Sequence, residues 1–214
     1  GIGTLPILYY GNEEQKKKWI PGLASGALKG CYCLTEPSAG SDANSGKTSA
    51  KLNEAGTHYL INGQKMWITN GGVADWFFVV AYTDQANGYG GMTAFIVERG
   101  WEGVSVGAKE KNLGQRASDT RSINFDNVEI PESNVVGRIG DGWKLAMQAF
   151  DYTRPAVAVA AVGVARSAME HAMRYSLERK TMGKPIAMHQ AIGFMIADMK
   201  MNIDAGRLLC WQAG

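Results

Sequence analysis

The sequence predicts an α+β protein, with an antiparallel β domain of barrel or sandwich type set between helical segments. Three observations carry that expectation. Residues 1–140 hold 21 of the 27 glycines, whereas the last 74 residues hold 6 glycines and 14 alanines, a change from strand-and-turn to helix composition. Short β-type runs follow Cys31, separated by turn signals at hairpin spacing. Beyond Gly142, two long segments carry apolar residues at helical spacing.

Taken in order, Asn12 to Trp19 reads as helix, with an Asn cap and a charged first turn. A strand then runs from Cys31 to Pro37. The further strands expected are 57–62, 65–69, 76–82, 93–97 and 121–130, with turns at Asn62-Gly63, Asn70-Gly71-Gly72 and Asn87-Gly88. A long helix follows from Gly142 to about Leu177, nearly all apolar from Ala156 to Ala165, which suits the middle of a bundle or an interface. Pro155 is expected to kink it and to free the carbonyl of Asp151. After Pro185 a second helix places Met188, Ile192, Met195, Ile196, Met199 and Ile203 three and four apart. The boundaries expected are 1–27 for the first helical part, 28–140 for the β domain and 141–214 for two long antiparallel helices.

Composition narrows the function. Twenty-two Lys and Arg against twenty Asp and Glu leave a formal +2, without the basic excess of a general nucleic-acid binder. No run reaches the roughly 18 apolar residues of a membrane span. Cys31, Cys33 and Cys210 are too few for a disulfide scaffold. With His58, His171 and His189 scattered, no zinc site is expected. No G-x-G-x-x-G follows a strand, so a Rossmann site has no support. No targeting segment is visible. The start at Gly1 without Met, and the stop at Gly214 just after a periodic helix, read as an internal fragment.

Several stretches could carry chemistry. In YCLTEPSAGSD (residues 32–42), small residues after a strand offer backbone amides to an anion or polar ring, with hydroxyls at Thr35 and Ser41. By composition alone it is a strand and a loop. Trp67-Ile68-Thr69-Asn70 joins an aromatic face to a hydroxyl, or is a core tryptophan before a turn. Asp151-Tyr152-Thr153-Arg154 puts two opposite charges on one helix face, where a plain surface ion pair is the simpler reading. Arg179-Lys180-Thr181 is a basic interhelical turn, and Arg suits phosphate. His189-Gln190 opens a helix whose free N–H groups favour an anion.

Together these stretches closely resemble the acyl-CoA dehydrogenase family, and within it the medium-chain type. The matching segments are YCLTEPSAGSD, NGQKMWITNGG, LGQRASDTR, FDYTRP, ERKTMGKP and HQAIGFMIADM, and the resemblance runs essentially from end to end. It implies the family's fold, here as the end of an N-terminal helical domain, the middle β domain and the first helices of an incomplete C-terminal bundle. It also implies a bound FAD and homo-oligomers (dimers of dimers, a homotetramer). The activity implied is α,β-dehydrogenation of fatty acyl-CoA thioesters in β-oxidation, with electron-transfer flavoprotein as acceptor. The location implied is the mitochondrial matrix of a eukaryote or the cytoplasm of a bacterium.

Carried over by position, the resemblance gives Tyr32, Cys33, Leu34, Thr35 and Ser41 to the flavin, with Thr35 near the pyrimidine side of its ring. Trp67, Ile68 and Thr69 lie against the other side, the Thr69 hydroxyl toward N5. Ser41 also reaches substrate, and Asp151, Tyr152, Thr153 and Arg154 match the segment that contacts the CoA moiety. Arg179, Lys180, Thr181, His189 and Gln190 match positions that meet FAD across a subunit interface. Ser38 departs from the glycine common in the family, which weakens the case for a backbone nest there. Relatives keep the catalytic carboxylate either at the place of Thr153 or much further along. Thr153 is no base at neutral pH, so no catalytic residue is assigned within residues 1–214. Two alternatives stand beside this reading: a non-catalytic module, and a related flavoenzyme that uses oxygen or acts on a nitroalkane.

Overall fold

The computed structural model describes residues 2–214, and these divide after Ala149 into two compact units, the second being Phe150–Gly214. The first unit opens with helices α1 (Leu5–Tyr10) and α2 (Glu13–Ser25). Asn12 caps α2 as its sequence predicts. Its Oδ1 accepts the Gln15 amide at 2.8 Å, while Gln15 Oε1 accepts the Asn12 amide at 3.1 Å, a reciprocal capping box. The buried Gln15 side chain also donates to the carbonyls of Ser133 and Val135, at 2.8 and 2.9 Å.

Eight strands follow: β1 (Gly30–Cys33), β2 (Ser49–Leu52), β3 (His58–Thr69), β4 (Trp76–Tyr82), β5 (Met92–Glu98), β6 (Val104–Val106), β7 (Thr120–Pro131) and β8 (Val135–Val136). They hydrogen-bond in the order β6-β7-β3-β2-β4-β5-β8, with β1 added beside β4. Most pairs are antiparallel, but β1 and β2 each meet β4 in parallel, so the sheet is mixed. Every residue of β4 is buried, because both of its faces are covered. Phe77, Val79 and Ala81 join Ile61, Phe95, Phe125 and Ile130 in the main core. On the other face Trp76 meets Trp19 of α2 (5.7 Å between rings), and Phe78 stacks on Tyr32 at 5.2 Å.

Two expectations about this unit need correcting. Asn62-Gly63 is not a hairpin turn: β3 runs unbroken from His58 to Thr69 against β7. Asn62 instead grips Asn127, an extra residue in β7 with φ 49°, through bonds of 2.9 and 3.0 Å. Gly63 has φ 149°, and a Cβ there would stand 2.8 Å from that of Thr48. An Asn-Gly pair supplies positive φ to a tight turn and to this close crossing alike. Strand β1 also ends earlier than expected, at Cys33, and Glu36 pairs only with Ala39 in an isolated bridge.

A single helix, α3 (Gly142–Glu178), runs on through Pro155 without a break. Its first turns bury Leu145, Ala146 and Ala149 in the first unit. The second unit holds the rest of α3, a hairpin of β9 (Lys180–Thr181) and β10 (Lys184–Pro185), and α4 (Gln190–Ala213). A Cβ on Gly206 of α4 would lie 3.2 Å from Val162 of α3. These residues stand about equally far from the hairpin, so the two helices run antiparallel. Between them lies an apolar groove of about 600 Å³ lined by residues such as Ala161, Val162, Met195 and Ile203. Among the described residues no helix is long and apolar enough to cross a membrane.

Candidate functional site

Strands β1 and β3, together with residues 2–4 and the end of α2 with the segment after it (Leu23 to Lys29), build a cleft of about 370 Å³ in the first unit, and Tyr32, Trp67, Thr69 and Asn70 are among its lining residues. How β3 presents these residues follows from an irregularity. Lys65 pairs with Ile123 and Ile68 with Arg121, so Met66 and Trp67 stand opposite Ser122 alone. This is a β-bulge, which bends its strand and re-aims side chains. Trp67 sits in the left-handed region at φ 59°, a conformation that costs a non-glycine residue on the order of 1–3 kcal/mol. The bulge breaks the alternation of two. Lys65 and Ile68, three apart, both point inward, while Trp67 is 57% exposed and Thr69 is exposed beside it.

The two motifs meet directly. The Met66 amide donates to the Thr35 carbonyl at 2.9 Å, and the Cys31 thiol to the Thr69 carbonyl at 2.9 Å. Thr69 also pairs with Thr120, which sets the end of LGQRASDTR beside it. A side chain on Gly72, at the end of the turn Asn70-Gly71-Gly72, would displace the neighbouring Asp119–Arg121 ion pair. The Tyr32 hydroxyl donates to the Ala146 carbonyl at 3.1 Å. Burial pushes it above the ordinary tyrosine range, and pushes the Cys31 thiol up to about 12, against the pull of Arg99. Both are neutral at physiological pH.

Other candidate residues lie differently. Cys33, Leu34 and Ile68 are buried, so they can offer a ligand only backbone. Ser41 is exposed on the loop after Glu36. Asp151 and Arg154 form an exposed ion pair at 3.2 Å on α3, with the guanidinium 5.5 Å from the Phe150 ring centre. Tyr152 is exposed beside them, and the Thr153 hydroxyl donates to the Phe150 carbonyl at 3.3 Å. In the second unit Thr181 Oγ1 and His189 Nε2 lie 2.9 Å apart. That contact binds the exposed hairpin carrying Arg179 and Lys180 to the start of α4, where Gln190 is exposed. No cluster of three or more His, Cys, Asp or Glu among the described residues could hold a metal.

Three models of one family tile this chain. The one described as acyl-CoA dehydrogenase, N-terminal domain, matches residues 1–27, the middle domain matches 31–128, and the C-terminal domain matches 140–214. The chain belongs to the acyl-CoA dehydrogenase family. It is 47% identical over 215 residues to a Caenorhabditis briggsae protein named probable medium-chain specific acyl-CoA dehydrogenase 2, mitochondrial, covering 99% of this chain and 52% of that one. Butyryl-CoA dehydrogenase from Megasphaera elsdenii matches in structure with a TM-score of 0.95 at 43% identity, over 99% of this chain and 55% of that one. A Bacillus anthracis acyl-CoA dehydrogenase complexed with FAD matches with a TM-score of 0.90 at 42% identity, over 96% of this chain and 35% of that one. The chain spans about half the length of the curated relatives it matches.

Sequence reasoning passed over two residues of this family member. Lys65 and Glu36, 2% and 6% exposed, form an ion pair at 2.8 Å directly behind the bulge. Burial alone would raise the Glu36 carboxyl, but the Lys65 charge, the Lys47 amide and Thr48 outweigh it and hold it below the usual carboxylate range. One signal was available. Tyr59, Ile61 and Gly63 set the inward phase of β3, and Lys65 continues it, so a lysine falls where an apolar residue belongs.

Proposed function

We propose that this chain is part of an FAD-dependent dehydrogenase that introduces an α,β double bond into fatty acyl-CoA thioesters. The observation that carries this reading is the bulge at Trp67. It holds an aromatic ring outward in a strained backbone conformation, next to the Thr69 hydroxyl and above the backbone tie to Thr35. An exposed ring and a neighbouring donor suit a planar, polar heterocycle. When bound, FAD would supply the acceptor for the hydride that leaves the β carbon. In this reading Trp67 covers one side of the ring, Thr69 donates toward N5, and Tyr32 and Thr35 shape the pyrimidine side. Ser41 and residues 151–154 serve the acyl-CoA, and the hairpin with His189 and Gln190 serves FAD bound to a neighbouring subunit of a homotetramer.

Thr153 spends its hydroxyl on the Phe150 carbonyl and is not a base. The base therefore belongs to the family's other position, outside residues 1–214. Medium-chain acyl groups are the proposed substrates, on the strength of the 47% identity to the medium-chain relative. Electron-transfer flavoprotein is the proposed acceptor. The domain boundaries proposed are 1–27, 28–140 and 141–214.

The test is anaerobic mixing of the purified natural polypeptide with a medium-chain acyl-CoA. Rapid bleaching of a visible flavin band supports the reading, and a protein without flavin, or with flavin that acyl-CoA leaves oxidised, refutes it. Thr69→Val should slow that bleaching or weaken FAD binding by about 1–3 kcal/mol, the cost of losing a donor that the bound ring would cover, with folding unchanged.

A further inference from the structure

We propose that the buried Glu36–Lys65 pair is a positioning element of the flavin-binding face, fixing the end of β1 and the bulge of β3 against each other. This rests on the flavin reading above. The Lys65 ammonium donates to Glu36 Oε1 at 2.8 Å and to the Leu34 carbonyl at 3.0 Å. The next residue, Met66, donates its amide to the next carbonyl, that of Thr35, at 2.9 Å. Two successive groups of β3 thus hold two successive carbonyls beyond β1, and Trp67 is the residue that follows. The Glu36 carboxylate reaches a third segment, accepting the Lys47 amide at 2.6 Å and the Thr48 amide at 3.1 Å. Its own backbone pairs with Ala39, so the loop that carries Ser41 is pinned at both ends.

Stability alone is a poor reason for such a pair. Desolvation offsets most of what two buried charges gain from each other, and apolar replacements of similar volume are often neutral or better. Charges supply direction instead. The carboxylate and ammonium accept only an arrangement that satisfies all their partners, whereas methyl groups in the same space would let the strands slide. The element acts through Trp67, Thr35 and the Ser41 loop, and touches neither ring nor substrate.

The test uses the natural polypeptide with FAD. Lys65→Met alone strands a buried carboxylate and is expected to fold poorly, so the decisive variant is Glu36→Leu with Lys65→Met, which removes both charges and keeps the volume. Its melting temperature should fall by several degrees without loss of the fold, because the Lys47 and Thr48 amides and the Leu34 carbonyl lose their partners. Its FAD dissociation constant should rise about tenfold or more, its flavin absorption and circular dichroism should change, and the Met66 and Trp67 amides should exchange faster while those of β4 stay protected. Lys65→Arg should recover part of the affinity. Should that double variant fail to fold, Glu36→Gln with Lys65→Met, which removes both charges but keeps an acceptor for the Lys47 and Thr48 amides, takes its place with the same readouts. A folded variant with wild-type affinity, spectra and amide exchange overturns the positioning role alone. A wild-type protein that takes up no FAD overturns the flavin reading and this one with it.

Discussion

Replacing Trp67 by glycine separates what the bulge costs the fold from what it gives the site. Because Trp67 is 57% exposed, the fold buries only about 100 Å² of its ring, worth at most about 2.5 kcal/mol at 25 cal/mol per Å². Glycine relieves the left-handed strain at φ 59°, a gain of about 1–2 kcal/mol. The freedom it adds to the unfolded chain takes back about 0.4–1 kcal/mol. The net loss is about 1–2.5 kcal/mol, or roughly 2–10 °C in melting temperature for a domain of this size. Truncating Trp76, which is fully buried against Trp19, should cost about 3–5 kcal/mol. Flavin binding should respond in the opposite proportion. Losing one ring stacked on a heterocycle costs about 1–3 kcal/mol, so FAD should bind about 5- to 150-fold more weakly. Thermal melts followed by far-UV circular dichroism, with FAD titrations followed by fluorescence, measure both. A Trp67→Gly protein that melts as low as Trp76→Ala while binding FAD normally would refute the reasoning.

Three further outcomes follow from the same geometry. Gln15→Ala removes two bonds to the carbonyls of Ser133 and Val135 and half of the capping box, and should cost about 2–3 kcal/mol in a urea melt. Cys31 and Cys33 should stay unreactive toward a disulfide reagent at neutral pH until the protein unfolds, since burial keeps both thiols protonated; prompt reaction of either would contradict their burial. Glu36 has a lowered folded pKa, so its contribution is complete above the unfolded carboxyl value of about 4.3 and lost as pH falls through the folded value. Stability measured at falling pH should therefore decline more steeply in wild type than in Glu36→Gln.

The elements that were legible in the sequence are those whose causes are local. The Asn12 cap needs only Gln15, three residues on. Strand β4 is a continuous apolar run, and α3 declares itself by alanine and spacing. What was not legible depends on partners distant in the chain. The end of β1 is decided by Glu36 turning to Lys65, 29 residues later. The fate of Asn62-Gly63 is decided by Thr48 and by Asn127, 65 residues away. The site was legible as motifs but not as geometry. Counting by twos from Lys65 puts Trp67 in the core, and only the register against β7 reveals the extra residue that turns it out. Lys65 stood in plain view inside NGQKMWITNGG as an inward lysine.

The bonds from Gln15 to Ser133 and Val135 span 118 and 120 residues, which sets an order of events on the ribosome. Helix α2 can cap itself as soon as it is made, since Asn12 and Gln15 are close in sequence. Its anchorage must wait until β8 has been synthesised, several seconds later at about 5–20 residues per second. The wait for Trp76, 57 residues beyond Trp19, is shorter, but that contact too awaits the sheet. Throughout the interval Trp19 lacks the Trp76 ring that it meets in the fold, so α2 is a segment that a chaperone can hold. The final docking of α2 is then a late step, and weakening Gln15 should lengthen that dependence without altering how the sheet itself forms.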